Sequence, residues 1–279
     1  MPDRALVLGG GGPVGGAWLT GMLAGLTEAG VDPDAADVLI ATSAGAVFGA
    51  RLRCGTPASV LYERQLSGAD AVRLPVTAHR TARFLWAALG SRDPERSIAR
   101  LGRTALRART GPESDVFDTV GRLLGEVRDW PDRELRITAV DARTGEVASF
   151  DARSGVKLLE AVAASCAVPV VWPPVTVAGR RWMDGGSRST ANLQLAHGSR
   201  RVLAIVPIPR AVGPHPSAAG QAARLTEDGA RVVLLCPDED ARRAMGRNMA
   251  DATRGPAAAR AGYEQALRAV AEVADAWGR

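Results

Sequence analysis

The chain has 279 residues, 46% of them apolar and 23% charged, which supports a full core in one domain over residues 1–279 and excludes an intrinsically disordered chain. No stretch of about 18 apolar residues runs without a charge, so no membrane span is expected. The net charge of +5 is carried almost wholly by arginine, with Lys157 the single lysine and the acids interspersed; without a basic run interleaved with aromatics, no nucleic-acid partner is expected and the default reading is a solvated surface.

Residues 5–8 read as a strand. A glycine run follows, then a helix through about residue 30 in which Trp18, Met22 and Leu26 recur at helical spacing and Gly30 is placed for a C-cap. Residues 38–40 read as a buried second strand and Ser43 onward as a second helix. This strand–helix–strand–helix opening argues for a mostly parallel α/β sheet. Residues 68–128 read as a helical insertion or cap over the sheet. Within it Ala82, Leu85, Trp86 and Leu89 share one helical face, which fits either ordinary core packing or a lid or lipid-contacting surface. Further on, 135–140 and 146–150 read as paired strands around Thr144-Gly145, and 156–164 as a helix. Residues 175–177, 202–206 and 232–235 read as strands, and 257–277 as a long closing helix. Met1-Pro2-Asp3-Arg4 does not resemble a secretory leader, and Cys54, Cys166 and Cys236 have no C-x-x-C spacing. A cytoplasmic protein with reduced thiols, and no zinc site or disulfide framework, is the expectation.

The run from Gly9 to Gly16 contains Gly10, Gly12 and Gly15 in G-x-G-x-x-G spacing. Consecutive glycines expose backbone N–H groups at a helix N-terminus, a nest for negative charge. It could serve a dinucleotide pyrophosphate, an oxyanion, or only a tight turn. A dinucleotide site also asks for an acidic residue at the end of the second strand, where this chain has Ala41-Thr42-Ser43. The pentapeptide Ala41-Thr42-Ser43-Ala44-Gly45 matches G-x-S-x-G except at its first position. Such an elbow needs small residues two before and two after the serine. Ser43 is therefore either a nucleophile at a helix N-terminus or a plain N-cap. His79, His197 and His215 lie in polar or Pro/Gly-flanked contexts, and none presents itself as the base.

Met183-Asp184-Gly185-Gly186 is, alone, an ordinary turn. A glycine nest after strand one, a serine elbow after strand two and a late Asp-Gly-Gly together resemble the patatin-like phospholipase family. The resemblance covers about residues 4–275 and is weakest in 68–128. It implies a three-layer α/β/α sandwich around a mostly parallel sheet, and a Ser–Asp dyad that cleaves fatty acyl esters. On this chain the dyad falls on Ser43 as nucleophile and Asp184 as general base. The N–H groups of Gly10, Gly11 and Gly12 would form the oxyanion hole, with Gly15, Ala41, Gly45, Gly185 and Gly186 shaping the motifs. A carboxylate is a weak base at its ordinary pKa near 4, and partial burial would raise it into a useful range.

The resemblance implies no metal and no organic cofactor, a lipid or other acyl-ester substrate, and transient contact with a membrane surface. Three positions depart from the family's pattern. Ala41 replaces a glycine, Val14 stands where a basic residue is common, and Thr190 stands where an Asn is common, with Asn192 two residues on. The last two bear on substrate range rather than chemistry. Alternative readings are an acyltransferase using the same acyl-enzyme and a non-catalytic lipid-binding member of the fold.

Overall fold

The computed structural model describes residues 2–277. Strand β1 (Arg4–Leu8) lies parallel to β2 (Val38–Ala41), with Ala5 opposite Val38 and Leu8 opposite Ala41. Helix α1 (Gly12–Glu28) makes the crossover between them. On one side β2 pairs in parallel with β3 (Glu134–Asp141); on the other, β1 pairs with β7 (Arg201–Ile205) and β7 with β8 (Arg231–Leu235), again in parallel. The far edge turns antiparallel. Strands β4 (Val147–Phe150) and β6 (Arg180–Asp184) both run against β3, and β5 (Val175–Val177) runs against β6. Among the described residues this makes an eight-stranded sheet linked as β5-β6-β3-β2-β1-β7-β8, with β6 and β2 meeting one edge of β3 at successive positions and β4 covering its other edge.

Side chains alternate across the sheet, so each strand feeds two cores. Leu6, Leu8, Leu39, Ile137 and Ile205 face one layer, built from α1, α2 (Ala44–Arg53), α3 (Ala58–Leu66), α6 (Glu113–Leu124), α7 (Leu158–Cys166), α9 (Glu239–Met245) and α10 (Gly255–Trp277). Ala5, Val7, Val38 and Val202 face the other way, onto α8 (Ala218–Glu227). Val140 and Met183 also face that second layer, under α4 (Ala78–Leu89) and α5 (Pro94–Leu106). The result is the expected three-layer α/β/α sandwich. The stretch read as a helical insertion divides between layers: α4 and α5 cover one face of the sheet, and α6 returns to the other.

Helix α1 is buried from Val14 to Leu26, as the spacing of Trp18, Met22 and Leu26 predicts, because α10 closes over it. The two helices meet backbone to backbone. A Cβ on Gly21 would stand 2.0 Å from the Ala259 carbonyl, and one on Gly262 would stand 2.2 Å from that of Trp18. Gly30 follows the α1 C-cap at φ 84°. Among the described residues no helix is long and apolar enough to cross a membrane.

One expectation is corrected. The face of Ala82, Leu85, Trp86 and Leu89, offered first as core packing, is exposed. Helix α4 packs instead through Phe84, Ala87 and Ala88, and the Ser97 hydroxyl donates to the Ala88 carbonyl at 2.6 Å. Small residues let α4 and α5 approach closely, so the larger apolar side chains point outward.

Candidate active site

The sheet itself brings the two ends of the site together. Ile137 of β3 pairs with both Ala41 of β2 and Phe150 of β4, so β2 and β4 hold opposite edges of β3. Ala139 pairs with both Ala148 of β4 and Asp184 of β6, so β6 shares the edge of β2. Strand β2 runs up that edge and ends at Ala41, while β6 runs down it and ends at Asp184. Their ends face each other across one intervening residue, Thr138.

Ser43 sits two residues past Ala41 at φ 53°, ψ −118°, outside the regions most side chains adopt. It occupies the N-cap position of α2 but makes no capping hydrogen bond with its side chain. Its Oγ instead donates to Asp184 Oδ2 at 2.7 Å. The elbow needs glycine at position 45, since a Cβ there would lie 2.2 Å from the Leu8 carbonyl. Ala41 is fully buried at the end of β2, where its methyl is accommodated.

Helix α7 clamps the pair. The Ser43 N–H donates to Ser165 Oγ at 2.8 Å, and the Asp184 N–H donates to the Ala167 carbonyl at 2.9 Å. Asp184 Oδ1 accepts from the Gly186 N–H at 2.6 Å, and a Cβ on Gly185 would strike Thr138 Oγ1 at 2.4 Å. The Asp-Gly-Gly turn is therefore fixed at three points. Burial pushes the Asp184 carboxyl up to about 6, against the opposing effect of the hydrogen bonds from Ser43 and Gly186. The Cys166 thiol beside the pair is pushed well up by desolvation and by the Asp184 charge, so it stays neutral.

Beneath the pair lies a polar hub that sequence reasoning missed. Thr42 Oγ1 and Thr138 Oγ1 are 2.8 Å apart, and Asn192 Nδ2 reaches both, at 3.0 and 3.2 Å, as well as the Ser189 carbonyl at 2.8 Å. Asn192 is fully buried and left-handed, at φ 51°. It ties β2, β3 and the chain after Asp184 into one unit. Thr190, where the family pattern often has Asn, donates its hydroxyl to the Ile208 carbonyl instead.

The glycine run lies against Ser43: a Cβ on Gly10 would be 3.2 Å from Ser43 Cβ. The Gly10 N–H, expected in the oxyanion hole, donates to the Thr190 carbonyl at 2.8 Å and is committed there. The N–H groups of Gly11 and Gly12 have no partner among the described residues. Gly12, at φ 61°, opens α1, while Gly15 is a packing residue whose added Cβ would meet Pro207 at 2.8 Å. Val14, at the position where a basic residue is common, is buried and donates its N–H to the Met249 carbonyl.

Ser43 opens into an apolar pocket walled by Val47, Phe48, Val116, Val120, Val168 and Trp172. The turn carrying Trp172 holds Val170 at φ 62°, a strained setting for a β-branched residue. Gln65 and Asp70 also line the pocket, and Asp70 is tied by Arg51 at 2.7 Å and Arg64 at 2.8 Å. No histidine lines it. His79 is exposed, His197 stands by Asp228, and both His197 and His215 border a separate groove beside α8.

A family model described as patatin-like phospholipase matches residues 6–197. Among solved structures, VipD from Legionella pneumophila is similar with a TM-score of 0.48 and 12% identity, over 97% of this chain and 67% of that one. The type III effector protein ExoU gives a TM-score of 0.38 and 16% identity, over 96% of this chain and 53% of that one. The chain thus spans about two thirds of VipD and half of ExoU. No curated protein matches it. The family match takes in the glycine run, the Ser43 elbow and the Asp184 turn, and the chain belongs to the patatin-like phospholipase family of lipid hydrolases.

Proposed function

We propose that the chain is a serine acyl hydrolase that cleaves fatty acyl esters of lipids through a Ser43–Asp184 dyad and an acyl-enzyme. The observation that carries the reading is the 2.7 Å hydrogen bond between these side chains at the wall of an apolar pocket. Asp184, its basicity raised by burial, takes the Ser43 proton as Oγ attacks the ester carbonyl. The carbonyl oxygen becomes an oxyanion, and the unpartnered N–H groups of Gly11 and Gly12 are the donors for it, aided by the N-terminus of α1. Protonated Asp184 returns the proton to the leaving alcohol. Water then attacks the acyl-Ser43 carbonyl with Asp184 again as base, releasing the fatty acid. The fatty acyl chain lies along the pocket walls, and the headgroup stays outside.

A chain-length series of p-nitrophenyl esters, run with and without an alcohol acceptor and followed by fatty-acid release from phospholipid, tests this. Free fatty acid as the main product is expected. A new ester of the acceptor as the main product would make the chain an acyltransferase, and no turnover of any ester would overturn the reading.

A further inference from the structure

Basic charge is not spread evenly along the chain. Residues 71–112, which carry α4 and α5, hold nine arginines against two acidic residues, a surplus of seven in a chain whose whole net charge is +5. The two acids are occupied: Asp93 caps α5 by accepting the Arg96 N–H at 2.8 Å, and Glu95 meets Arg188 at 2.6 Å. Among the described residues none of the nine arginines pairs with a carboxylate, whereas Arg51, Arg64, Arg133, Arg180 and Arg188 all do.

The same hairpin exposes apolar surface. Of the seven large hydrophobic residues exposed among the described residues, five lie between Val76 and Leu106. Leu85, Trp86 and Leu89 are consecutive on one face of α4, at 41%, 65% and 61% exposure. Trp86 keeps that exposure although the Arg100 guanidinium lies 3.6 Å over its ring, a cation placed at the edge of an apolar patch. Helix α4 is joined to the site, since the chain that leaves the pocket wall at Leu74 enters the helix at Ala78.

We infer that the α4–α5 hairpin is the surface by which the protein seats on an anionic lipid bilayer. Leu85, Trp86 and Leu89 enter the headgroup boundary, and the unneutralised arginines meet lipid phosphates. Apolar burial and positive charge act together here, a pairing that fits an anionic bilayer and that a zwitterionic one would satisfy only in part. This inference rests on the lipid-hydrolase reading for its purpose and on the hairpin alone for its evidence.

The test uses the full chain carrying Ser43→Ala, so that vesicles survive the measurement. Sedimentation with phosphatidylcholine vesicles is compared with vesicles containing about 30% phosphatidylglycerol, at about 0.1 M and about 0.5 M salt. The expected result is binding to the anionic vesicles that weakens at high salt. The combined Leu85→Ser, Trp86→Ser and Leu89→Ser variant should bind about tenfold more weakly or worse. Arg80→Gln with Arg83→Gln should narrow the preference for anionic vesicles. Both sets, in a Ser43 background, should hydrolyse a soluble short-chain ester at the parent rate. Absence of binding by the parent, unchanged binding by the serine variant, or a parent that prefers an oligonucleotide to anionic vesicles would overturn the inference. Vesicle binding by a protein that turns over no ester would uphold this surface and remove the hydrolase reading instead.

Discussion

Ser43 Oγ donates to Asp184 Oδ2 at 2.7 Å across 141 residues of sequence because β2 and β6 end head to head on one edge of β3. Their last residues, Ala41 and Asp184, register against Ile137 and Ala139. The geometry of the proposed dyad therefore rests on strand register together with the tight Ser43 turn that follows β2. A one-residue slip of β6 would carry the carboxylate to the other face of the sheet.

On the proposed dyad, Asp184 sets the pH dependence. Burial raises its carboxyl from the ordinary 3.8 to about 6, so the carboxylate form accumulates as pH rises through about 6. A plot of kcat/KM against pH for a soluble ester should rise with an apparent pKa near 6 and level off above it. A profile flat from pH 4 to pH 8 would show that another group supplies the base.

The same shift has a cost in stability. Because the folded pKa exceeds the unfolded one, ionising Asp184 disfavours the folded state, and stability is lost as pH rises from about 4 to about 6. Asp184→Asn should lower kcat by about 10²- to 10⁴-fold. It should also match the parent in stability near pH 4 and exceed it at pH 8 by up to about 3 kcal/mol. Denaturant titrations at the two pH values check the sign.

On the proposed dyad, with Ser43 as nucleophile, Ser165 is a positioning residue for the elbow. Ser165→Ala leaves the buried Ser43 N–H without its acceptor, costing about 1–3 kcal/mol and letting the nucleophile drift. Activity should fall about tenfold or more, with stability lowered by that amount, and Ser165→Thr should restore much of both.

Gly11 tests the proposed oxyanion site. A Cβ there would meet Pro207 at 2.7 Å and Gly15 at 2.9 Å, so Gly11→Ala must shift the loop and its N–H groups. The expected loss is about 10²- to 10³-fold in kcat with little change in KM, because the oxyanion exists only along the reaction path. A loss confined to KM would move the oxyanion donors elsewhere.

Much of this was legible in the sequence, for physical reasons. Trp18, Met22 and Leu26 announced α1 by their spacing, and Val38, Leu39 and Ile40 announced a strand buried on both faces. The glycine run and the Ser43 elbow stood out because tight turns constrain residue type, whereas Asp184, in an ordinary Asp-Gly-Gly turn, was picked out only by the resemblance that the three motifs carry together. Strand β6 did not stand out. It is five residues long and begins with two arginines, and its signal was the Ala178-Gly179 turn, with φ of 48° and 73°, joining it to β5. The Thr42–Thr138–Asn192 hub was unreadable because its members lie 54 to 150 residues apart and threonine and asparagine are ordinary residues anywhere. The commitment of the Gly10 N–H to Thr190 is likewise a tertiary contact that no local pattern encodes. The arginine-rich character of α4–α5 was visible in the sequence; that its arginines pair with no carboxylate among the described residues was not, because pairing is a tertiary contact.

The most direct test of the dyad is covalent. A fluorophosphonate should add once to the native protein, and peptide mapping should place the adduct on Ser43. Ser43→Ala should take up none and hydrolyse no ester while keeping the parent's unfolding midpoint. An adduct on another residue, or a folded Ser43→Ala protein that still turns over esters at the parent rate, would contradict the account.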